Sequence, residues 1–376
     1  MAHIITFTHK IEKYPPIVAV INYLVNNNHQ VIVLGDCDNQ NLLTEWREKG
    51  VVFQRVINSN VNANFAVKLF RFLLYKLKVT KIVKTYFNKA NVTLWLFGND
   101  NFFILHHLIP QIKAISYMFE VPLFKVSAKY RLLSPTINYK KSLQSSWRNI
   151  SCELNRSLIT QSYFGLAEMP DVIPNKTFNN IDFIPEANEF VKSILEPLKG
   201  KKIILYQGIF NFPERRLSEL CEAINFLPEE YVVLLMGDGD GLQYLKSKFA
   251  SDRVLFLGFI KYPDYLHITK ASYIGFLSYF AKAGSLNTAL NTLYCAPNKI
   301  YEYSAFGLPF ISNNLPALQV FANEHFSGIV LDKLTPENIA KAILSINAAY
   351  TTYQEGALKL FYSTDIDAKL NNILLE

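Results

Sequence analysis

Short apolar runs of strand character alternate with helix-forming segments along most of this chain, and few folds satisfy such an order. A strand, a helix and a second strand in succession close most readily into parallel sheets covered by helices on both faces. HIITFT (3–8) reads as the first strand, Pro15 and Pro16 open a helix over IVAVINYLVNNN, and QVIVLGD follows as the second strand. TLWLFG near residue 95, AISYMF near 117 and SLITQS near 160 are expected to extend that sheet. The order breaks at MPDVIPNKTFNNIDFIP, where proline and asparagine crowd together, and then resumes. The second series runs KKIILYQG as strand, RRLSELCEAINFL as helix, YVVLLMGDG as strand, LQYLKSKF as helix, then VLFLG and YIGFLSY as strands. A polar stretch, AGSLNTALNT, precedes the helix NKIYEYSAF, the strand PFIS, the helix LPALQVFANEH, the strand GIVLD, a helix from Thr335 and a terminal helix from Asp365. At 376 residues, 50% of them hydrophobic, the chain has material for two cores rather than one.

Charge divides the chain unevenly. Of 38 Lys and Arg, sixteen lie between Lys49 and Cys152, where the acids are Asp100 and Glu120; the other 22 are outnumbered by 29 acids. The basic stretch interleaves cations with long aliphatic and aromatic residues, as in NFAVKLFRFLLYKLKVTKIVKTYF from Asn64. That texture suits an anionic membrane surface, with a broad basic collar, better than nucleic acid, which is not expected as a partner. No run reaches the roughly 18 apolar residues of a membrane span, and MAHIITFTHK lacks the pattern of a secretion signal. Cys37, Cys152, Cys221 and Cys295 lie far apart, without the spacing of a zinc cluster or disulfide framework. The expectation is a cytoplasmic protein, peripherally associated with the inner face of the cell membrane.

Three loops of the second half leave strands in the manner of nucleotide sites. In YQGIFNFPERRL, Gly208 ends a strand and Arg215 and Arg216 stand at the mouth of a helix, where guanidinium groups can hold a diphosphate. In MGDGDGL, glycines after a strand permit a tight turn, although the third glycine of G-x-G-x-x-G is missing. In YCAPNKIYEYSAFGLPFIS, Pro297 precedes a helix start, and Lys299 and Glu302 are three apart and so share a face.

The succession YQG with RR, MGDGDG, VLFLGFI, YIGFLSY, APNKIYEYSAFGLPFIS and GIVLD resembles the nucleotide-binding domain of glycosyltransferases of the two-domain B fold. The likeness is to the group 1, family 4-like set of bacterial polysaccharide type, whose P-x-K-x-x-E-Y-x-A-x-G-x-P-x-I block is filled by Pro297, Lys299, Glu302, Tyr303, Ala305, Gly307, Pro309 and Ile311. The resemblance implies an α/β protein of two Rossmann-like doubly wound domains facing a cleft. Its parts are an acceptor-binding domain over 1–175, a linker over 176–200, a nucleotide-sugar domain over 201–355 and a helical segment over 356–376 packing back towards the first domain. It implies a hexosyltransferase in which Glu302 contacts the donor ribose and Arg215, with Arg216 or Lys299, neutralises the diphosphate. Gly208 and Asn298 belong to the same loops, and Gly258 and Phe259 border the base. The donor is a nucleotide-diphosphate sugar, with a UDP-sugar favoured. The acceptor is a hydroxyl of a saccharide or lipid-linked saccharide in capsule, O-antigen or exopolysaccharide synthesis. No cofactor is expected, and with cationic side chains at hand and no D-x-D motif, no metal either.

Two positions depart from the family pattern. The residue eight before Glu302 is Tyr294 rather than glutamate, and the segment Tyr117, Met118, Phe119, Glu120 carries phenylalanine where the family often has histidine. Glu120 is therefore the first candidate for a general base and His9, at the end of the first strand, its competitor. Adjacent His106 and His107 point apart on a helix and are not expected to share a metal. The alternatives are a non-catalytic nucleotide-sugar-binding partner and a dinucleotide-dependent oxidoreductase that uses MGDGDG, with Asp252 at the spacing of a ribose ligand.

Overall fold

A computed structural model describes residues 1–59, 64–87, 89, 91–182 and 184–375; Asn88, inside the basic segment expected from Asn64 to Lys89, lies outside these. The chain divides into two compact units, one of Met1–Thr177 with Ile366–Glu376 and one of Phe178–Asp365. The first is built on a seven-stranded parallel sheet of β1 (Ala2–Lys10), β2 (Gln30–Asp36), β3 (Val52–Arg55), β4 (Val92–Phe97), β5 (Lys113–Met118), β6 (Arg148–Ser151) and β7 (Asp171–Val172), in the order β3-β2-β1-β4-β5-β6-β7. The second is built on a six-stranded parallel sheet of β8 (Lys202–Ile209), β9 (Tyr231–Asp238), β10 (Val254–Gly258), β11 (Ile274–Leu277), β12 (Phe310–Asn313) and β13 (Gly328–Leu331), in the order β10-β9-β8-β11-β12-β13. Both are doubly wound α/β sheets, as the alternating sequence predicts.

The central strands are buried on both faces, which is why they read as continuous apolar runs: β4, VTLWLF, has no exposed residue, whereas the edge strand β3 is largely exposed. One face of the first sheet packs around Phe102, Phe103, Leu105 and Val79, and the other around Ile17, Trp46, Tyr117 and Ile366. In both sheets the strand order reverses beside the first strand, between β1 and β4 and between β8 and β11. At such a reversal the two connections leave on opposite faces and open a crevice at the carboxyl ends of the strands.

Several expectations need correction. SLITQS is not a strand. It lies in the helix Leu154–Phe164, capped by Glu153, whose carboxylate accepts from the Arg156 amide, and ended by Gly165 in the left-handed region. Its buried residues Arg156, Ser157, Thr160 and Phe164 follow helical spacing, and the strand of that region is the short β6 just before it. The polar stretch after β11 contains a helix, Leu286–Leu293, capped by Ser285. The helix after β8 starts only at Ser218, so Arg215 and Arg216 lie in the loop before it.

The interval 176–200 is not a free linker. Asn188 caps the helix Glu189–Leu195 and Val191 is buried in the core of the second unit. Residues 356–365 also stay with that unit, through Leu360 of the helix Tyr350–Ser363. Only the last helix, Ile366–Leu375, joins the first, by burying Ile366, Leu370 and Ile373.

Buried His3 is expected to make the first unit sensitive to acid. The Trp95 indole donates to His3 Nδ1 at 3.0 Å, which leaves His3 Nε2 to share a proton with His29 Nδ1 at 3.1 Å. Burial, then the charges of His29, the N-terminus and Lys113, lower the His3 pKa to about 3. The unfolded chain protonates this imidazole below about pH 6.5 whereas the folded chain does not, so falling pH favours unfolding, by up to about 1.4 kcal/mol per pH unit from this residue. Urea denaturation at about pH 7.5 and about pH 5.5 is expected to show lower stability at the acid value, with a smaller loss in His3→Gln.

Candidate functional site

Four of the residues expected to hold a donor come together at the carboxyl end of β8. Gly208, in a backbone region with φ +148° that favours glycine, lies so close to Lys299 that a Cβ there would sit 2.6 Å from the lysine Cε. Lys299 and Glu302 occupy one face of the helix Asn298–Ala305, which begins with Asn298 after Pro297. Glu302 is only 5% exposed. Its Oε1 accepts from the Tyr265 hydroxyl at 2.8 Å, its Oε2 accepts from the Gln207 amide, and Gln207 Oε1 in turn accepts from Thr269 Oγ1 at 2.8 Å. Burial raises the Glu302 carboxyl above its ordinary range, against the opposing charge of Lys299 and these two hydrogen bonds. Burial likewise lowers Lys299, with Glu302 opposing and the Arg215 charge adding to the shift.

Arg215 completes the group. Its guanidinium lies 4.2 Å from the Tyr279 ring centroid, and its charge partly offsets the burial that pushes Tyr206 up to about 12. The Arg216 amide donates to Ser278 Oγ at 2.9 Å, tying the loop after β8 to the end of β11, while its guanidinium turns onto Phe280. Arg216 is exposed, and its guanidinium rests on the Phe280 ring. Gly258 and Phe259 end β10, two strands from β8; Gly258 has φ +69° and open space around it, and Phe259 is 69% exposed. The sequence reading missed Gln207, Tyr265 and Thr269. Gln207 had a signal, a polar residue inside an apolar strand; Tyr265 and Thr269, on the helix Asp264–Lys270, had none.

The MGDGDG loop serves packing. Gly208 and Gly237 are register partners in β8 and β9, and a Cβ on Gly237 would lie 1.7 Å from the Gly208 carbonyl oxygen. Gly239 and Gly241 approach Phe210 in the same manner, and the Gly241 amide donates to the Phe210 carbonyl at 2.7 Å. Asp252 precedes β10 and so lies at its amino end, whereas a dinucleotide ribose ligand stands at a carboxyl end. The geometry of a dinucleotide fingerprint is not formed.

In the first unit a second cluster occupies the reversal between β1 and β4. His9, near the end of β1, lies 3.2 Å from Asp100 Oδ2, and Asp100 Oδ1 accepts from the Tyr130 hydroxyl. Asp100 is in the first turn of the helix Gly98–Leu105 that follows β4. Tyr14 stacks between His9 and Phe119, at centroid distances of 6.2 and 5.9 Å. Glu120 is exposed at the border of this group: burial and then the Glu120 and Asp100 charges raise Tyr14, and Glu120 acts on Tyr130 as well. Both candidate bases therefore belong to one cluster, but His9 has a carboxylate partner. His107 is hydrogen-bonded with Thr80 at 3.0 Å, and burial lowers both it and His106 to about 4. Among the described residues no group of three or more His, Cys, Asp or Glu is placed to hold a metal ion.

The family of glycosyl transferases group 1 matches residues 201–348. A glycosyltransferase from Rickettsia africae is similar in structure, with a TM-score of 0.68 at 16% identity over 100% of this chain and 97% of that one. Anabaena HepE in complex with UDP-glucose gives 0.67 at 14% identity, over 100% and 98%. A putative UDP-N-acetylglucosamine 2-epimerase from Listeria monocytogenes gives 0.63 at 11%, over 100% and 94%. No curated protein sequence matches the chain. The architecture is the two-domain B fold, and the stretch that matches group 1 glycosyl transferases, 201–348, lies within its second unit.

The packing assigned to the glycine loop is directly testable. Gly237→Ala puts a methyl group onto the Gly208 carbonyl at a φ of +144°, and is expected to cost well over the about 1 kcal/mol of an average substitution. A marked fall in melting temperature is the expected result; a parental melting temperature with altered nucleotide binding would return the loop to a ligand-binding role.

Proposed function

We propose that the chain is a glycosyltransferase that moves a hexosyl group from a nucleotide-diphosphate sugar, a UDP-sugar being the favoured donor, to a hydroxyl of a saccharide or lipid-linked saccharide. Its setting is the synthesis of a surface polysaccharide at the cytoplasmic face of the cell membrane. The observation that carries this reading is the gathering of Lys299, Glu302 and Arg215 around Gly208, inside the stretch that matches group 1. A fixed carboxylate suits the hydroxyls of a ribose, because each of its oxygens has a lone pair beyond the one already engaged. Arg215, Lys299 and the amides at the start of the helix Asn298–Ala305 suit a diphosphate. HepE holds UDP-glucose on the same fold. That fold also serves an epimerase, so fold alone does not select the chemistry.

In this reading His9 acts as the base. Its imidazole takes the acceptor proton as the hydroxyl oxygen attacks the anomeric carbon, and the bond to the diphosphate oxygen breaks with its electron pair leaving on the nucleotide. Asp100 orients the ring and stabilises the imidazolium that forms, as carboxylates do for catalytic histidines. Direct displacement of this kind inverts the anomeric centre. Glu120, exposed beside Tyr14, borders the acceptor instead of taking the proton.

Donor binding tests the first part. Arg215→Ala and Glu302→Gln are each expected to weaken UDP binding by about tenfold or more, the scale of a lost charged hydrogen bond, with melting temperatures near the parent. Calorimetry that finds parental affinity in both places the donor elsewhere.

Turnover tests the second part. At saturating donor and acceptor, His9→Gln is expected to lose about 100- to 10,000-fold in kcat, with donor affinity retained and Glu120→Gln close to the parent. The reverse result moves the base to Glu120. Full activity in both, with a retained anomeric configuration by NMR, points to a front-face reaction in which the donor phosphate takes the proton.

A further inference from the structure

The helix Phe65–Lys84 is apolar on two opposite faces, and only one of them is used by the fold. Its inner face is anchored at three points. Tyr75 is buried and donates to Asn101 Oδ1 at 2.6 Å, Lys76 Nζ donates to the Leu133 carbonyl at 2.8 Å, and Thr80 meets His107 at 3.0 Å. Val79 and Val83 are buried on the same side. These anchors fix the rotation of the helix, so at about 100° per residue Phe70, Leu74, Leu77 and Lys81 fall together on the side away from the core. Phe70 and Leu77 are each 59% exposed and Leu74 38%. Val67 and Leu73 flank this ridge, and both are exposed. A solvent-facing helix surface is ordinarily polar, and a contiguous apolar ridge marks a surface that meets something.

Charge indicates what it meets. Lys68, Lys78, Lys81 and Lys84 are exposed on the same helix, and from Asn64 to Lys89 there is no Asp or Glu. A second copy of the chain docked by twofold symmetry would bring these lysines against their own counterparts. An anionic bilayer supplies both complements at once, phosphates for the lysines and acyl chains for the ridge, along the roughly 30 Å of a twenty-residue helix. No helix among the described residues is long and apolar enough to cross a membrane, so the geometry is that of a helix lying in the interface.

We propose that the helix Phe65–Lys84 lies in the plane of an anionic bilayer, with Phe70, Leu74 and Leu77 inserted below the headgroups and Lys78, Lys81 and Lys84 at the level of the phosphates. For its cellular setting this rests on the function proposed above; its test requires neither donor nor turnover. The inserted side chains make binding depend on acyl contact as well as charge, and therefore leave a part that salt does not remove.

The full chain is sedimented with phosphatidylcholine vesicles with and without phosphatidylglycerol, at low and high salt. Pelleting is expected with the anionic vesicles and only weakly with the neutral ones. The triple variant Lys78→Gln, Lys81→Gln, Lys84→Gln is expected to partition about a hundredfold less, each lysine contributing about fivefold. The ridge variant Phe70→Ser, Leu74→Ser, Leu77→Ser is expected to lose the salt-resistant part at a parental melting temperature, since these side chains are exposed. Parental pelleting by the ridge variant overturns insertion. Equal pelleting on both lipids overturns the anionic assignment. A parent that stays in the supernatant as a dimer, which the ridge variant turns into a monomer, makes the ridge a chain-to-chain interface and overturns the proposal. UDP calorimetry on the parent separates the two readings: pelleting without nucleotide binding overturns the transferase reading alone, and nucleotide binding without pelleting overturns the lipid surface alone.

Discussion

The reversal of strand order, once in each sheet, is the constraint on which the chemistry of this protein depends. Between β1 and β4, and again between β8 and β11, neighbouring strands send their connections to opposite faces, so no connection covers the carboxyl ends there. His9 and Asp100 come from the two sides of the first reversal, and Gly208 and the Ser278 hydroxyl that fixes the Arg216 amide from the two sides of the second. Residues far apart in sequence thereby converge without any long loop. The arrangement also explains why the first unit, which lacks the glycine loops of the second, still builds a cluster at the equivalent place.

In the second unit the cost of a buried carboxylate is met by a hydrogen-bond chain. Glu302 leaves water almost completely, which by itself favours its neutral form. Tyr265, Gln207 and, through Gln207, Thr269 all point donors along one path to it, and Lys299 adds the opposite charge. Such a carboxylate cannot rotate to suit a ligand. It presents a fixed acceptor geometry before any ligand arrives, and the ordering has been achieved during folding. Gly208 contributes by having no side chain, since the space of its Cβ is where Lys299 lies.

The amount of this that the sequence revealed follows from the range of the interactions. Sheet strands are written as apolar runs, so KKIILYQG, YVVLLMGDG and VLFLG were legible, and so was the start of the helix at Thr335. SLITQS misled because β-branched and small residues on a partly buried helix leave a short apolar run without a visible period. Lys299 and Glu302 were legible because they are three apart on one helix. Asp100 was passed over as a partner because its contacts to His9 and Tyr130 span 91 and 30 residues. Even so a signal existed. Asp100 and Glu120 are the two acids within a long basic stretch, and they converge on one cluster.

The two features of the first unit that bear on function share one short helix. In Gly98–Leu105, Asp100 faces His9 and Tyr130, while the next residue, Asn101, is completely buried and accepts from Tyr75 of the helix Phe65–Lys84. The Asn101 amide also donates to Thr6 Oγ1 at 2.7 Å, and the Thr6 hydroxyl donates to the Trp95 carbonyl at 2.7 Å, so the same residue ties β1 to β4 at their reversal. Consecutive residues on a helix point about 100° apart. One turn can therefore hold the carboxylate partner of His9 on one side and anchor the helix Phe65–Lys84 on the other. A buried amide that uses both its donor and its acceptor in this way is costly to replace, because any apolar substitute removes the acceptor of the Tyr75 hydroxyl and the donor to Thr6 Oγ1. One of the three anchors of the exposed ridge and the carboxylate partner of His9 thus sit on consecutive residues of one short helix.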